Sequence, residues 1–254
     1  MSRVNKPSRL VLAPTDELIE ILLSDNRVTR LCLTDKVCVL ESADATLIQS
    51  LQVGGRGWTR IFEEYYLASS SEGRAQGVLV GAFFDWLADR YNKEIDSSRN
   101  LACYEELYDT AKRLRGAAGV ATVLDLGCGP GTILRSCIAR SVEVLVGYDL
   151  SAVAARAAAS AGLTVMPRDV FLVGPARFDV ALSAYTMHYA CDLAETLAAV
   201  QCNLKSGGVW ALNFHKDIGL DAFLASLEPT QLRLTAHARG SAFGSIVAVT
   251  KYGA

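Results

Sequence analysis

Val123-Leu124-Asp125-Leu126-Gly127-Cys128-Gly129-Pro130-Gly131-Thr132 is the stretch from which the rest of this chain is read. Four residues of strand character run into three alternating glycines, and a helix is expected to follow. Glycine allows tight turns and lets backbone approach a ligand closely. A helix start also presents N–H groups with no partner of their own. Together they predict a nucleotide-shaped pocket at the carboxyl end of a parallel sheet.

Working outward, further strand runs follow at Glu143–Tyr148, Leu163–Met166, Phe178–Leu182 and Val209–Phe214. Helical stretches such as Ser151–Ala161 and Leu193–Leu204 lie between them. Strands alternating with helices imply right-handed crossovers and a doubly wound α/β sheet. The last two runs, Gln231–Ala236 and Ser245–Thr250, read as a hairpin around Gly240–Gly244, which makes the last strand antiparallel in a seven-stranded sheet. These residues predict a cofactor-binding domain over 119–254.

Residues 1–118 have another character and are expected to form a mainly helical cap or lid. Asp16–Leu23 and Ala43–Leu51 read as short helices, and Val28–Leu33 with Lys36–Leu40 as a hairpin. Trp58–Leu67, Gly77–Tyr91 and Leu101–Arg115 carry apolar residues at helical spacing. Trp58, Phe62, Tyr65 and Tyr66 then fall on one or two helix faces, where they either pack or line an apolar pocket. Ser69–Gly73 is the expected joint. The hairpin at 28–40 has no assigned role beyond a possible dimer or partner surface.

Composition narrows the function. The 254 residues are 51% hydrophobic and 20% charged, as in a well-packed globular protein. With 25 basic against 27 acidic residues and no long basic run, a nucleic-acid backbone is not the expected partner. The longest apolar stretch, around Gly77–Phe84, falls short of the roughly 20 residues needed to cross a bilayer, and no signal peptide is visible. A cytoplasmic protein is expected. Seven cysteines without a Cys-x-x-Cys pair and three scattered histidines predict reduced thiols and no metal site.

Asp149 ends the second strand, 18 residues after Gly131. A carboxylate there can accept from both hydroxyls of a ribose. Dinucleotide enzymes share this layout but favour Gly-x-Gly-x-x-Gly. Here the order is Gly-x-Gly-x-Gly, with Asp125 just upstream. That carboxylate would repel a pyrophosphate and receive an ammonium, which favours a ligand with an amino-acid tail.

At this point the chain resembles the class I S-adenosylmethionine (SAM)-dependent methyltransferases over Thr122–Lys251. The resemblance implies that Gly127, Gly129 and Gly131 line SAM and that Asp125 sits near its methionine part. It implies that Asp149 binds ribose, that Leu150 packs on adenine, and that Asp169 and Val170 lie beside that ring. Phe178-Asp179-Val180 and Ser183-Ala184-Tyr185 match the fourth-strand motif, so Ala184 and Tyr185 are read as cofactor-lining. Leu204-Lys205-Ser206-Gly207-Gly208 matches a Leu-Lys-Pro-Gly-Gly turn, with serine in place of proline. Tyr91 resembles the lid tyrosine that reaches the cofactor's carboxylate.

Chemistry is then expected at Ser183–Tyr189. Tyr185 is placed to hold the sulfonium, and His188 is the general-base candidate because imidazole titrates near neutrality. Asn213 and His215 also open toward this end of the sheet. Three functions remain open. One is methyl transfer to nitrogen, oxygen or carbon of a small-molecule acceptor, as in small-molecule biosynthesis. The second is another SAM-consuming reaction: cyclisation to azetidine-2-carboxylate, or aminocarboxypropyl transfer, either releasing methylthioadenosine. The third is a non-catalytic SAM-binding regulator. A homodimer is possible in each.

Overall fold

The computed structural model describes residues 7–42, 44, 57–62, 64–68, 73–94, 97–174, 176–189 and 192–253. They divide into two compact units, with the boundary between Trp86 and Leu87.

The first unit is built on a five-stranded sheet. Its strands are β1 (Ser8–Leu12), β2 (Val28–Leu33), β3 (Cys38–Ser42), β4 (Trp58–Phe62) and β5 (Tyr65–Ala68), in the order β2-β3-β1-β5-β4. β1 and β5 are parallel and the other pairs antiparallel. The expected hairpin is β2–β3, turned at Thr34, whose hydroxyl accepts from the Lys36 and Val37 N–H groups. Helix α1 (Leu18–Leu23) buries Ile19 and Leu22 against Leu10, Leu12 and Leu40.

This sheet is missing from the expectation for the N-terminal region, in which only the β2–β3 hairpin is read as strand. Trp58–Leu67 forms two strands, not a helix. Trp58, Ile61 and Tyr65 recur at helical spacing, but Trp-Thr-Arg-Ile-Phe and Tyr-Tyr-Leu-Ala are rich in aromatic and β-branched residues, which suit a pleated surface. Trp58 and Tyr65 are buried, and Tyr65 packs on Phe83 with ring centres 5.1 Å apart, so these aromatics serve packing. The helix expected at Ala43–Leu51 and the joint expected at Ser69–Gly73 lie, apart from Asp44 and Gly73, outside the described residues.

Helix α2 (Gly73–Glu94) carries the unit boundary within it, and helix α3 (Ser97–Arg115) follows. Cys103, Tyr104, Leu107, Tyr108 and Ala111 form one buried face of α3 and share a core with Val123, Val180, Val209 and Ala211. That shared core places α3 in the second unit, so the division falls earlier than the expected 118/119 boundary.

The second unit carries the seven-stranded sheet. Its strands are β6 (Thr122–Leu126), β7 (Val144–Tyr148), β8 (Thr164–Val165), β9 (Phe178–Ser183), β10 (Leu204–Phe214), β11 (Leu232–Ser241) and β12 (Gly244–Lys251). The order is β11-β12-β10-β9-β6-β7-β8. β6, β7, β8, β9 and β10 pair in parallel, while β12 is antiparallel to both β10 and β11, as the terminal hairpin predicts. The connecting helices are α4 (Ile138–Ser141), α5 (Ala152–Ser160), α6 (Arg168–Val173), α7 (Leu193–Asn203) and α8 (Leu220–Ala225). No helix among the described residues is long and apolar enough to cross a membrane.

The amino end of the sheet is tied by Asp179. Its carboxylate accepts from the Ala121 and Thr122 N–H groups, the Thr122 hydroxyl, Arg115 and Lys205. Asp179 is buried, yet these donors hold it down to about 2 from 3.8, against the upward push of desolvation. The carboxyl end of the sheet is left to the loops.

Candidate cofactor site

The glycine loop leaves β6 and is held from the neighbouring strand. The N–H groups of Gly127 and Cys128 both donate to the Tyr148 carbonyl, at 2.7 and 3.1 Å. Gly127, Gly129 and Gly131 all have positive φ, of 80°, 53° and 86°. Side chains rarely adopt that conformation, so the alternation of glycines is a backbone requirement. Their surroundings differ. A Cβ on Gly127 would lie 2.2 Å from the Thr186 hydroxyl, so the loop after β9 sits directly on it. A Cβ on Gly129 would meet nothing within 4 Å, which leaves room for a ligand beside the backbone.

The segment after Gly131 differs from the expected helix start. It is a 3-10 turn, Thr132–Arg135, followed by the short α4. Ser136 breaks the helix: its hydroxyl donates to the Ile133 carbonyl and accepts from the Ile138 N–H, a local alternative to the helical ladder.

Asp149 links the loop to the next helix. Its Oδ2 accepts from the Gly129 N–H and its Oδ1 from the Ser151 N–H, both at 2.8 Å. Ser151 in turn caps α5, accepting from the Ala154 N–H. These two bonds brace both oxygens, and a carboxylate oxygen can accept more than one hydrogen bond. Leu150, beside Asp149, is 44% exposed, an apolar surface without a protein cover. Asp169, exposed, and Val170, half-buried, lie in the first turn of α6 beyond β8.

Asp125 is fully buried. Both its oxygens accept from the Tyr104 hydroxyl of α3, at 3.0 and 3.1 Å. Burial pushes its carboxyl up to about 8; the Tyr104 bond opposes that shift and the nearby charge of Asp149 adds to it. Asp125 therefore sits inside the root of the loop, and Asp149 at its rim. Tyr104 was not visible as a site residue in the sequence. It lies 21 positions upstream of Asp125 on an otherwise apolar helix face, and no local spacing links them.

The loop after β9 supplies the second wall. Ala184 is buried, and Tyr185 has φ 57°. A bulky residue held there costs about 1–3 kcal/mol and persists only when its surroundings impose it. The Tyr185 N–H donates to Asn213 Oδ1 at 2.6 Å. The Tyr185 ring lies 5.9 Å from the His215 ring and 5.9 Å from the Arg99 guanidinium. Among the described residues, the other non-glycine positions with positive φ are Lys216 and Asp217, directly after His215. The structure thus brings Asp149, Leu150, the glycine loop, Ala184 and Tyr185 to one end of one sheet. His188 lies on the 3-10 turn Met187–Tyr189 and Tyr91 on α2, but both side chains fall outside the described residues.

The fold agrees with the comparison to known proteins. A family profile described as a methyltransferase domain matches residues 96–231, just over half of the chain. The chain belongs to this methyltransferase family. Membership makes it a SAM-dependent transferase, with SAM as its cofactor. No curated protein sequence matches this methyltransferase. Solved structures share its fold. The [4+2]-cyclase SpnF aligns over 69% of this chain and 96% of its own, at 16% identity and TM-score 0.54. A sugar N-methyltransferase from Streptoalloteichus aligns over 66% and 92%, at 16% identity and TM-score 0.52. The magnesium protoporphyrin IX methyltransferase of Synechocystis, solved with bound SAM, aligns over 69% and 97%, at 15% identity and TM-score 0.51. At these identities the likeness is one of fold. The open space beside Gly129, the braced Asp149 and the partly exposed Leu150 fit a nucleoside carrying a ribose and a flat aromatic base.

Proposed function

We propose that this methyltransferase acts on nitrogen, oxygen or carbon of a small-molecule acceptor presented at the carboxyl ends of β9 and β10. The observation that carries the proposal is the clustering of backbone strain. Tyr185, Lys216 and Asp217 all fall in the two loops that follow these strands. Strain is retained where it positions reacting groups. The near balance of charge over the chain supports a small acceptor over a nucleic acid.

The residues divide the work as follows. Asp149 accepts from the ribose hydroxyls, each charge-assisted bond contributing about 1.5–3 kcal/mol. Leu150 and Val170 cover the base, with Asp169 beside it. The glycine loop gives backbone-close approach, and buried Asp125 with Tyr104 shapes its root. Bound SAM supplies an electrophilic methyl group on a sulfonium. Tyr185, with Ala184 beside it, offers that cation an aromatic face. Holding donor and acceptor in line accounts for most of the acceleration, about 7–11 kcal/mol when alignment is good. His188 takes the acceptor's proton where the acceptor must lose one.

The test is to incubate purified protein with SAM, alone and with panels of small amines, phenols and carbon acids, and to read nucleoside products by mass spectrometry. Adenosylhomocysteine formed together with a methylated acceptor supports the proposal. Methylthioadenosine formed without any acceptor refutes it, because carbon–sulfur cleavage has then occurred away from the methyl group.

A further inference from the structure

We infer that Asn213 is a positioning residue that sets cofactor affinity by fixing the conformation of Tyr185. The inference rests on the proposed reading of Tyr185 as cofactor-lining. Asn213 lies near the end of β10 with no exposed surface. Its amide is bonded at both ends. Oδ1 accepts from the Tyr185 N–H at 2.6 Å, and Nδ2 donates to the Phe243 carbonyl, in the turn between β11 and β12, at 2.8 Å. The second bond fixes which way the amide faces, so the acceptor oxygen is presented to Tyr185.

This residue type suits the task. Tyr185 needs outside restraint because a side chain with a Cβ disfavours φ of 57°. An aspartate at 213 would accept from Tyr185 but oppose the Phe243 carbonyl with a second acceptor. A leucine would leave the Tyr185 N–H and the Phe243 carbonyl both without that partner.

The ring of Tyr185 is framed by the same elements. Arg99, in the first turn of α3, donates from Nη2 to the Ala242 carbonyl at 2.7 Å and holds its guanidinium 5.9 Å from the ring centre. His215, two residues after Asn213, lies 5.9 Å from the ring on the β10 side. The start of α3, the loop after β9, the end of β10 and the β11–β12 turn therefore converge on Tyr185, and Asn213 bonds directly to two of them.

The experiment is a double-mutant cycle on the full chain, with SAM affinity read by calorimetry. Asn213→Ala is expected to weaken SAM binding about tenfold, which is ~1.4 kcal/mol. Tyr185→Gly is expected to weaken it as well. In the Tyr185→Gly background, Asn213→Ala should change affinity by less than about twofold, because glycine takes this conformation unaided and has no ring to place. Melting temperature should fall with Asn213→Ala in both backgrounds, so the affinity cycle separates positioning from packing. If Asn213→Ala does not fold, Asn213→Leu replaces it; it is close to asparagine in shape and lacks the acceptor for Tyr185, and an unchanged affinity then overturns the inference. Losses that multiply in the double variant overturn it too. If Tyr185→Gly alone leaves affinity unchanged, the reading of Tyr185 fails and takes the inference with it. If only Asn213→Ala is silent, the reading stands and the inference alone fails.

Discussion

Replacing Asp179 by asparagine should cost stability at neutral pH and cost little in acid. Asp179 is surrounded by five donors at the amino end of the sheet, two of them the cations of Arg115 and Lys205. Its carboxyl is lowered from 3.8 to about 2. At about 1.4 kcal/mol per unit, that shift corresponds to about 2 kcal/mol of folding free energy. The sign follows from the depressed value. The contribution is complete above the unfolded-state pKa near 3.8 and is lost as pH falls through about 2. Asp179→Asn keeps one accepting oxygen but turns an N–H₂ group toward donors and leaves Arg115 and Lys205 without that charge. At about 2–4 °C per kcal/mol for a chain of this size, the melting temperature at pH 7 should fall by about 4–8 °C. Differential scanning calorimetry of both proteins from pH 7 to pH 2 would check this. The gap should narrow steadily below pH 4. A gap that stays constant down to pH 2 would refute the electrostatic reasoning and make Asp179 a packing residue.

Gly127→Ala and Gly129→Ala should separate stability from binding. An added methyl at 127 meets Thr186 close to its backbone, while one at 129 enters open space. Both carry the left-handed cost of about 1–2 kcal/mol, so Gly127→Ala should lower the melting temperature more. Gly129→Ala should mainly weaken SAM binding measured by calorimetry; equal thermal losses would contradict the difference in surroundings. Asp125 makes a prediction of opposite sign to Asp179. Its carboxyl is raised to about 8, so the stability it contributes is complete below the unfolded value near 3.8 and is lost as pH rises toward 8. Asp125→Asn, which resembles the protonated form, should therefore gain in melting temperature relative to the parent between pH 5 and 8. A relative loss over that range would show that Asp125 is ionised and stabilising.

The sheet of the second unit was legible because its signals are local. Apolar runs and the glycine alternation each lie within a dozen residues, the terminal hairpin is confined to Leu232–Lys251, and Asp149 follows at the end of the next strand. The five-stranded sheet was not legible as a whole. In Trp58–Leu67 two periodicities compete, and only pairing with β1, far away in sequence, decides between them. The Tyr104–Asp125 pair was invisible for a related reason. A tyrosine on an apolar helix face reads as packing, and nothing nearby tells that its hydroxyl ends on a buried carboxylate. Asn213 and His215 were visible as residues opening toward the site, but the bond from Asn213 to Tyr185 is a property of the assembled sheet. The end of α3 at Arg115 was legible, but its allegiance to the second unit was not.

The placement of β12 between β10 and β11 has a consequence for the order of assembly. β11 is made before β12, yet within the sheet it pairs only with β12. On a ribosome, β11 must therefore wait unpaired until Gly244–Lys251 has emerged and docked on β10. During that interval the Asn213 side chain also lacks the turn carbonyl of Phe243. The residues that brace the loop presenting Tyr185 are thus made after β6, β7 and β9, which pair with one another. Without Gly244–Lys251, β10 would lie at an edge of the sheet and β11 would have no strand to pair with.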